Sequence, residues 1–342
     1  MGKRHPCVAN VAAALLAGMA AWATAPLPAA GAAVAFKCAT ATVNDIHHEW
    51  CKRFTARLEK RSDGRMKGQV FPAGQLGPIP RLIEGVQLGT IEAFMTPPEF
   101  FVGVDPRFQV LSAPFLFADM DHAYRVVTDK EVREKFLALA EDKGLKGVNL
   151  ALVTPSSFVS RTPIRTPDDL RGKKIRVLAT PMETGTIAAL GGTGVPMPWG
   201  EVLPALQQGA VDAVQAGLTV FVPFKYFDVV KYHTNTNHYF VTGFGTVSKR
   251  WYDGLPADLQ RVVIEEAMAE QASLHEWTKN LYAEGEKVWK ERTKDGWVAL
   301  SGEQRAAFRQ RLEGVDEKVA AQFPAIKEWL DLLRAKAKQY VR

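Results

Sequence analysis

Thr166-Pro-Asp-Asp-Leu-Arg-Gly-Lys-Lys-Ile-Arg-Val177, followed by Leu190-Gly-Gly-Thr-Gly-Val-Pro-Met-Pro-Trp-Gly-Glu-Val-Leu-Pro-Ala-Leu-Gln-Gln-Gly209, decides how this chain folds. The spacing reads as a helical turn at 167–170, a strand at 174–177, a helix at 182–190, a short strand at 195–197 and a helix at 200–208. A strand at 211–216 follows. Helices alternating with short strands predict a parallel sheet covered by helices. One residue does not belong to that pattern: Arg176 sits inside the strand. A guanidinium is buried only with an anion or with several acceptors. Its partner is either an Asp or Glu side chain or the carboxylate of a ligand, and residue type alone does not choose between them.

The same alternation appears upstream. A strand is predicted at 35–42 and a helix over Ile46–Arg61, with Trp50, Phe54 and Leu58 on one face. Strand 67–71, helix 80–88 and strand 91–95 complete a first β-α-β-α-β run. Two helices (121–128 and 130–143) and a strand at 148–153 precede the second cycle. Phe240–Ser248 is apolar and reads as a crossing between two domains. Residues 256–292 form one amphipathic pattern, and a single helix of that length would span roughly 50 Å. Helices at 301–312 and 315–341, the latter broken near Pro324, close the chain. The pattern divides it into a lobe of residues 34–153 plus 242–281 and a second lobe of residues 154–241 plus 282–342 with the C-terminal helices.

Residues 1–33 read as an export signal. Lys3 and Arg4 precede an Ala-rich apolar run, which Pro26 and Pro28 break before the small residues Ala30-Gly31-Ala32. The run is short for a membrane span. Without it, 41 basic residues face 37 acidic ones, a net charge of +4. A mildly basic chain lacking Lys/Arg clusters argues against nucleic acid as a partner. Cys38 and Cys51 remain, in a compartment that permits disulfides. They read either as a bridge or as two small buried residues.

An ordered set of short motifs makes the chain resemble the DctP-type solute-binding proteins of tripartite ATP-independent periplasmic (TRAP) transporters. The set runs from Gly74-Gln75-Leu76-Gly77 and Ile83–Thr90 through Ala113-Pro114-Phe115-Leu116-Phe117 to Pro163–Gly172. It continues with Lys174–Val177, Pro196–Val202 and Val211-Asp212, and ends with Val247-Ser248-Lys249 and Leu255–Gln260. The resemblance implies a two-lobed, Venus-flytrap α/β fold with a hinge, a long helix spanning both lobes, and a ligand in the cleft between them. It further implies a periplasmic location, capture of an organic acid by the arginine that here is Arg176, and delivery to membrane permease subunits. Neither catalysis nor a cofactor is implied, and no carboxylate cluster demands a metal.

By the same match the Trp199 ring faces the cleft as a flat apolar wall; otherwise it is a core tryptophan. Departures from the family pattern narrow the ligand. Ser156 stands near where many members carry a second arginine or a glutamine. In Val214-Gln215-Ala216, Ala216 replaces the asparagine that often grips the ligand. Thr162 replaces a frequent basic residue, with Arg161 one position earlier. Fewer polar anchors predict a monocarboxylate with an apolar or aromatic body, because a sugar acid or a small dicarboxylate would bury unpaired polar groups. Phe94, Thr96, Pro97 and Phe221 either line the cleft or pack in the core. Asn44, His47 and His48 lie at the start of the first helix, a usual cleft edge, where Asn44-Asp45 also suits a helix cap. Two other readings stay open: a receptor for an ATP-driven importer or a sensor, which shares the architecture, and a secreted hydrolase using Cys51 with His47.

Overall fold

The computed structural model describes residues 33–341; the expected export signal, apart from its last residue, lies outside them. The first cycle comprises β1 (Val34–Ala39), α1 (Ile46–Arg61), β2 (Met66–Phe71), α2 (Ile79–Leu88) and β3 (Ala93–Thr96). Helices α3 (Met120–Val127) and α4 (Lys130–Leu137) lead into β4 (Leu145–Ser160). The second cycle comprises β5 (Lys174–Val177), α5 (Pro181–Ala189), β6 (Thr193–Pro196), α6 (Trp199–Gln207) and β7 (Ala213–Gly217). After α7 (Leu218–Phe221) come β8 (Tyr232–Asn235), β9 (Phe240–Ser248), α8 (Lys249–Asp253), α9 (Ala257–Ala269) and α10 (Gln271–Thr293). Strand β10 (Trp297–Ala299) and helices α11 (Gly302–Leu312), α12 (Val315–Gln322) and α13 (Pro324–Tyr340) finish the chain.

The main path of strands runs β2-β1-β3-β9-β4-β7-β5-β6, with β8 and β10 branching from β4. Within each cycle the pairings are parallel, as the α/β alternation predicts. The two middle strands are antiparallel to their neighbours, so the sheet is mixed. Strand β4 is 16 residues long, well beyond the expected 148–153. Its first part, to Pro155, pairs with β9; its second part, from Ser156, pairs with β7. The exchange falls at Pro155, which has no N–H to give to a ladder, just after a register shift between Leu152 and Thr154. This arrangement gives the two-lobed mixed α/β fold: one lobe around β1 to β3, one around β5 to β7, joined through β4 and β9.

Residues 257–293 are not one helix. The backbone is interrupted at Glu270. Two side chains clamp this break onto β4: Asn149 donates to the Ala267 carbonyl at 2.6 Å and Gln271 donates to the Leu150 carbonyl at 2.6 Å. Helix α10 still reaches from one lobe to the other. Ser273 meets Arg53 of α1. At Gly285 a Cβ would stand only 3.3 Å from Leu218 of α7, so glycine permits the close approach. Cys38 of β1 and Cys51 of α1 form a disulfide, with Cα atoms 5.7 Å apart. Helix α1 begins where the sequence predicts, because the buried Asp45 caps it by accepting from the His48 N–H. No helix of the described residues is long and apolar enough to cross a membrane.

Candidate ligand site

A cavity opens where the carboxyl ends of β1, β3, β5 and β7 converge, the position at which open α/β sheets hold ligands. One wall consists of Thr40, Ala41, Thr42, His47, Ile79, Thr96, Pro97 and Phe100. The facing wall consists of Arg176, Leu178, Trp199, Gln215, Ala216, Gly217 and Val220, and the connecting segments add Val153, Tyr239 and Val241. The space open to the centres of water-sized spheres is about 40 Å³. At roughly 10–15 Å³ per water this is a small chamber. Its walls are mainly aliphatic and aromatic.

Arg176 sits in this wall because of strand alternation. In β5, Ile175 and Val177 pack into the core, and Arg176 between them points the other way. Parallel pairing to Val195 and Val214 on either side fixes its register. The side chain is 1% exposed. Nε and Nη2 both donate to the Met197 carbonyl, at 3.0 and 2.8 Å, and Nη1 donates to the Gln215 carbonyl at 3.3 Å. A guanidinium has five N–H groups. Three are used, so one on each terminal nitrogen remains to donate to a ligand carboxylate. Burial pulls the guanidinium below its ordinary value, and the charge of Glu183 partly offsets this.

Glu183 is the acidic neighbour, but its oxygens are occupied. One takes the Leu178 N–H at 2.7 Å and the Gln215 amide at 3.1 Å; the other takes the Tyr239 hydroxyl at 2.9 Å. Gln215 is bound at its other end too, its Oε1 lying 3.1 Å from His238 Nε2. Gln215 therefore lines the cavity with its amide already committed. Burial holds His238 neutral, pushed down to about 3. Behind this network lies Glu99, fully buried, with neither oxygen hydrogen-bonded within the described residues. Burial, and then the charge of Glu183, push its carboxyl well up. Burial also raises Glu183, though the Leu178 and Tyr239 bonds oppose the shift.

Among the residues expected from the sequence, the cavity brings together Arg176, Trp199, Gln215, Ala216, Thr96 and Pro97. The Trp199 ring lies 5.4 Å from the Arg176 guanidinium carbon. The other expected residues stand elsewhere. Ser156 is buried on β4, with its backbone tied to Tyr239 and Asn237. Phe94 lies two residues deeper than Thr96 and packs on Phe101. Phe221 supports Trp199 from behind, in a cluster with Tyr226 and Trp289. Asn44 takes up a left-handed turn (φ 54°) and points its N–H at His48 Nδ1, 3.1 Å away, so both serve the start of α1. The histidine that does line the cavity is His47, one residue earlier. Tyr239, Phe100 and Leu178 went unnoticed in the sequence; only their places at or just beyond strand ends could have flagged them. The hydrolase reading fails because Cys51 is bonded to Cys38 and has no thiolate to offer. No group of three or more His, Cys, Asp or Glu among the described residues is placed to hold a metal ion.

Comparison with known proteins agrees with this geometry. Residues 38–322 match the sequence profile of the bacterial extracellular solute-binding proteins, family 7, the DctP family. The 2,3-diketo-L-gulonate-binding periplasmic protein YiaO of Escherichia coli K12 is 32% identical over 260 residues, 75% of this chain and 77% of that protein. The periplasmic ectoine-binding protein of the TeaABC TRAP transporter of Halomonas elongata superposes with a TM-score of 0.84 at 27% identity, over 89% of this chain and 99% of that one. A TRAP solute-binding protein from Desulfovibrio salexigens with bound orotic acid shares the fold, with a TM-score of 0.85 at 22% identity over 90% and 99% of the two chains. A cavity at the strand ends of a two-lobed sheet and a profile match over most of the chain lead to one conclusion: this protein belongs to the DctP family of extracellular solute-binding proteins.

Proposed function

We propose that this protein is the extracytoplasmic receptor of a TRAP-type transporter, binding a small organic monocarboxylate with an apolar body and passing it to membrane permease subunits. The observation that carries the reading is Arg176: a buried guanidinium in the cavity wall, held by two carbonyls, with no carboxylate partner and two N–H groups unspent. The apolar body is inferred from the lining. Ala216 leaves space where a larger side chain would project, and the Gln215 amide is already bonded. Relatives named for 2,3-diketo-L-gulonate, ectoine and C4-dicarboxylates indicate how far ligand chemistry ranges within the family. Binding, not catalysis, is the role that a ligand-facing arginine without a nucleophile supports.

The lobes are taken to be residues 34–153 plus 242–281 and residues 154–241 plus 282–342, with the ligand touching both only when they close on it. Its differential contacts then shift the population toward the closed form. A thermal-shift screen against monocarboxylates, sugar acids and dicarboxylates tests the reading. A ligand at about 100 times its Kd adds about 2.7 kcal/mol of stability. The same ligand should leave Arg176→Met, which keeps the side-chain volume, unshifted. Stabilisation by sugar acids or dicarboxylates alone would discard the apolar ligand class, and equal stabilisation of Arg176→Met would discard the anchor.

A further inference from the structure

We propose that His47 is a second ligand anchor, whose Nε2 accepts a hydrogen bond from a hydroxyl or N–H at the end of the ligand remote from its carboxylate. The proposal rests on the receptor reading above and makes its ligand class more specific. His47 is the second residue of α1 and is 2% exposed, yet it lines the cavity. Its Nδ1 lies 2.8 Å from Asp45 Oδ2. Asp45 is fully buried and also caps the helix through the His48 N–H. Burial alone would raise its carboxyl, but its interaction with His47 and the hydrogen bonds from Thr42 and His48 hold it below the ordinary value. A carboxylate can only accept. In a neutral imidazole the proton therefore sits on Nδ1, and Nε2 carries the lone pair.

That lone pair has no hydrogen-bond partner within the described residues although the atom is buried. Buried acceptors are almost always satisfied, so an exception beside a cavity calls for an occupant. The ring rests against β9 at Gly243, where an added Cβ would stand 3.4 Å from both Cδ2 and Nε2. The same Cβ would stand 2.8 Å from Met95 Cε, so only glycine fits between the imidazole and Met95. The two polar ends of the chamber then differ in kind. Arg176 offers two donors to an anion, whereas His47 offers one acceptor, which repels a second carboxylate and takes a donor. The fitting ligand is a carboxylate joined through an apolar body to a distal hydroxyl or N–H.

Isothermal calorimetry on the full chain with two matched pairs tests this: 4-hydroxyphenylacetate against 4-methylphenylacetate, and 5-hydroxypentanoate against hexanoate. In the wild type the hydroxylated member should bind about tenfold more tightly in at least one pair. His47→Phe keeps the ring bulk and should bring that ratio to about one while sparing the methyl member. Asp45→Asn keeps a helix-capping side chain but releases the tautomer, and should also lower the ratio. A merely structural role for His47 would weaken both members equally and leave the ratio alone. A ratio near one in both pairs in the wild type, or one unchanged in His47→Phe, overturns the anchor and leaves the receptor reading standing. Binding of none of the four also overturns it. Whether the receptor reading falls with it is read from the wider carboxylate screen.

Discussion

Two sets of arginines in this molecule have opposite surroundings. On the outer face of the first lobe, Arg53, Arg57 and Arg61 of α1 form a ladder with Glu265, Glu266 and Glu270, each guanidinium meeting at least one carboxylate. In the cavity wall of the second lobe, Arg176 meets carbonyls only. Each outer guanidinium is partly exposed and meets its counter-ions directly, with the buried Glu266 shared by Arg57 and Arg61. The inner charge has been desolvated with no carboxylate in hydrogen-bond contact and only the nearby Glu183 charge to offset it, which folding alone would not favour. A charge left incomplete at such cost points to a partner from outside the chain, whereas the satisfied ladder points to architecture.

Mutation can break or sharpen this contrast. The largest effect is expected at Arg176: Arg176→Ala should weaken carboxylate binding at least about 100-fold, since two charge-assisted bonds are lost, while circular dichroism still reports a folded protein. Arg57→Ala should do the reverse, leaving calorimetric affinity unchanged. If Arg57→Ala weakened binding as much, the distinction would collapse. The disulfide belongs to the architectural side. Replacing Cys38 and Cys51 with serine should cost about 3 kcal/mol for a loop of this length, seen as an earlier urea midpoint with ligand affinity kept.

Glu99 marks the boundary between the two classes. Its carboxyl is raised in the folded state, so the fold binds a proton that the unfolded chain releases at lower pH. Stability is then full below the ordinary glutamate value and falls as pH rises toward the folded value. Glu99→Gln should therefore raise the melting temperature more at pH 8 than at pH 5, and an equal gain at both would refute a pH-linked cost. The smallest effect is expected from Arg53→Met: about 0.5 kcal/mol, vanishing in high salt.

Much of this was legible in the sequence, for definite reasons. Arg176 breaks the apolar reading of a short strand, so its oddness is visible in one dimension. Helix α1 is bounded by an Asp cap and a basic last turn, and its predicted and observed limits coincide at Ile46–Arg61. Elsewhere the signals misled. Thr154-Pro155-Ser156 looks like a turn, yet Pro155 stands where β4 changes partners and needs no N–H. The interruption at Glu270 is invisible because one non-helical residue barely shifts the amphipathic phase. In the site, His47 and His48 are adjacent and chemically identical. Only the path of the chain after β1 decides that His47 turns inward and His48 receives the Asn44 N–H instead.

Strand β4 has a consequence for how the molecule can move. Its 16 residues stay hydrogen-bonded, first to β9 and then to β7, from one lobe into the other. A joint of this kind acts like a leaf spring rather than a pin: opening the chamber has to be stored as twist along a continuous ladder. Its amide protons, at 145–160 and in the β9 segment 240–248, should be among the slowest in the chain to exchange with deuterium. They should stay slow whether the chamber is empty or filled, while the Thr40–Thr42 rim exchanges quickly until a ligand seals it.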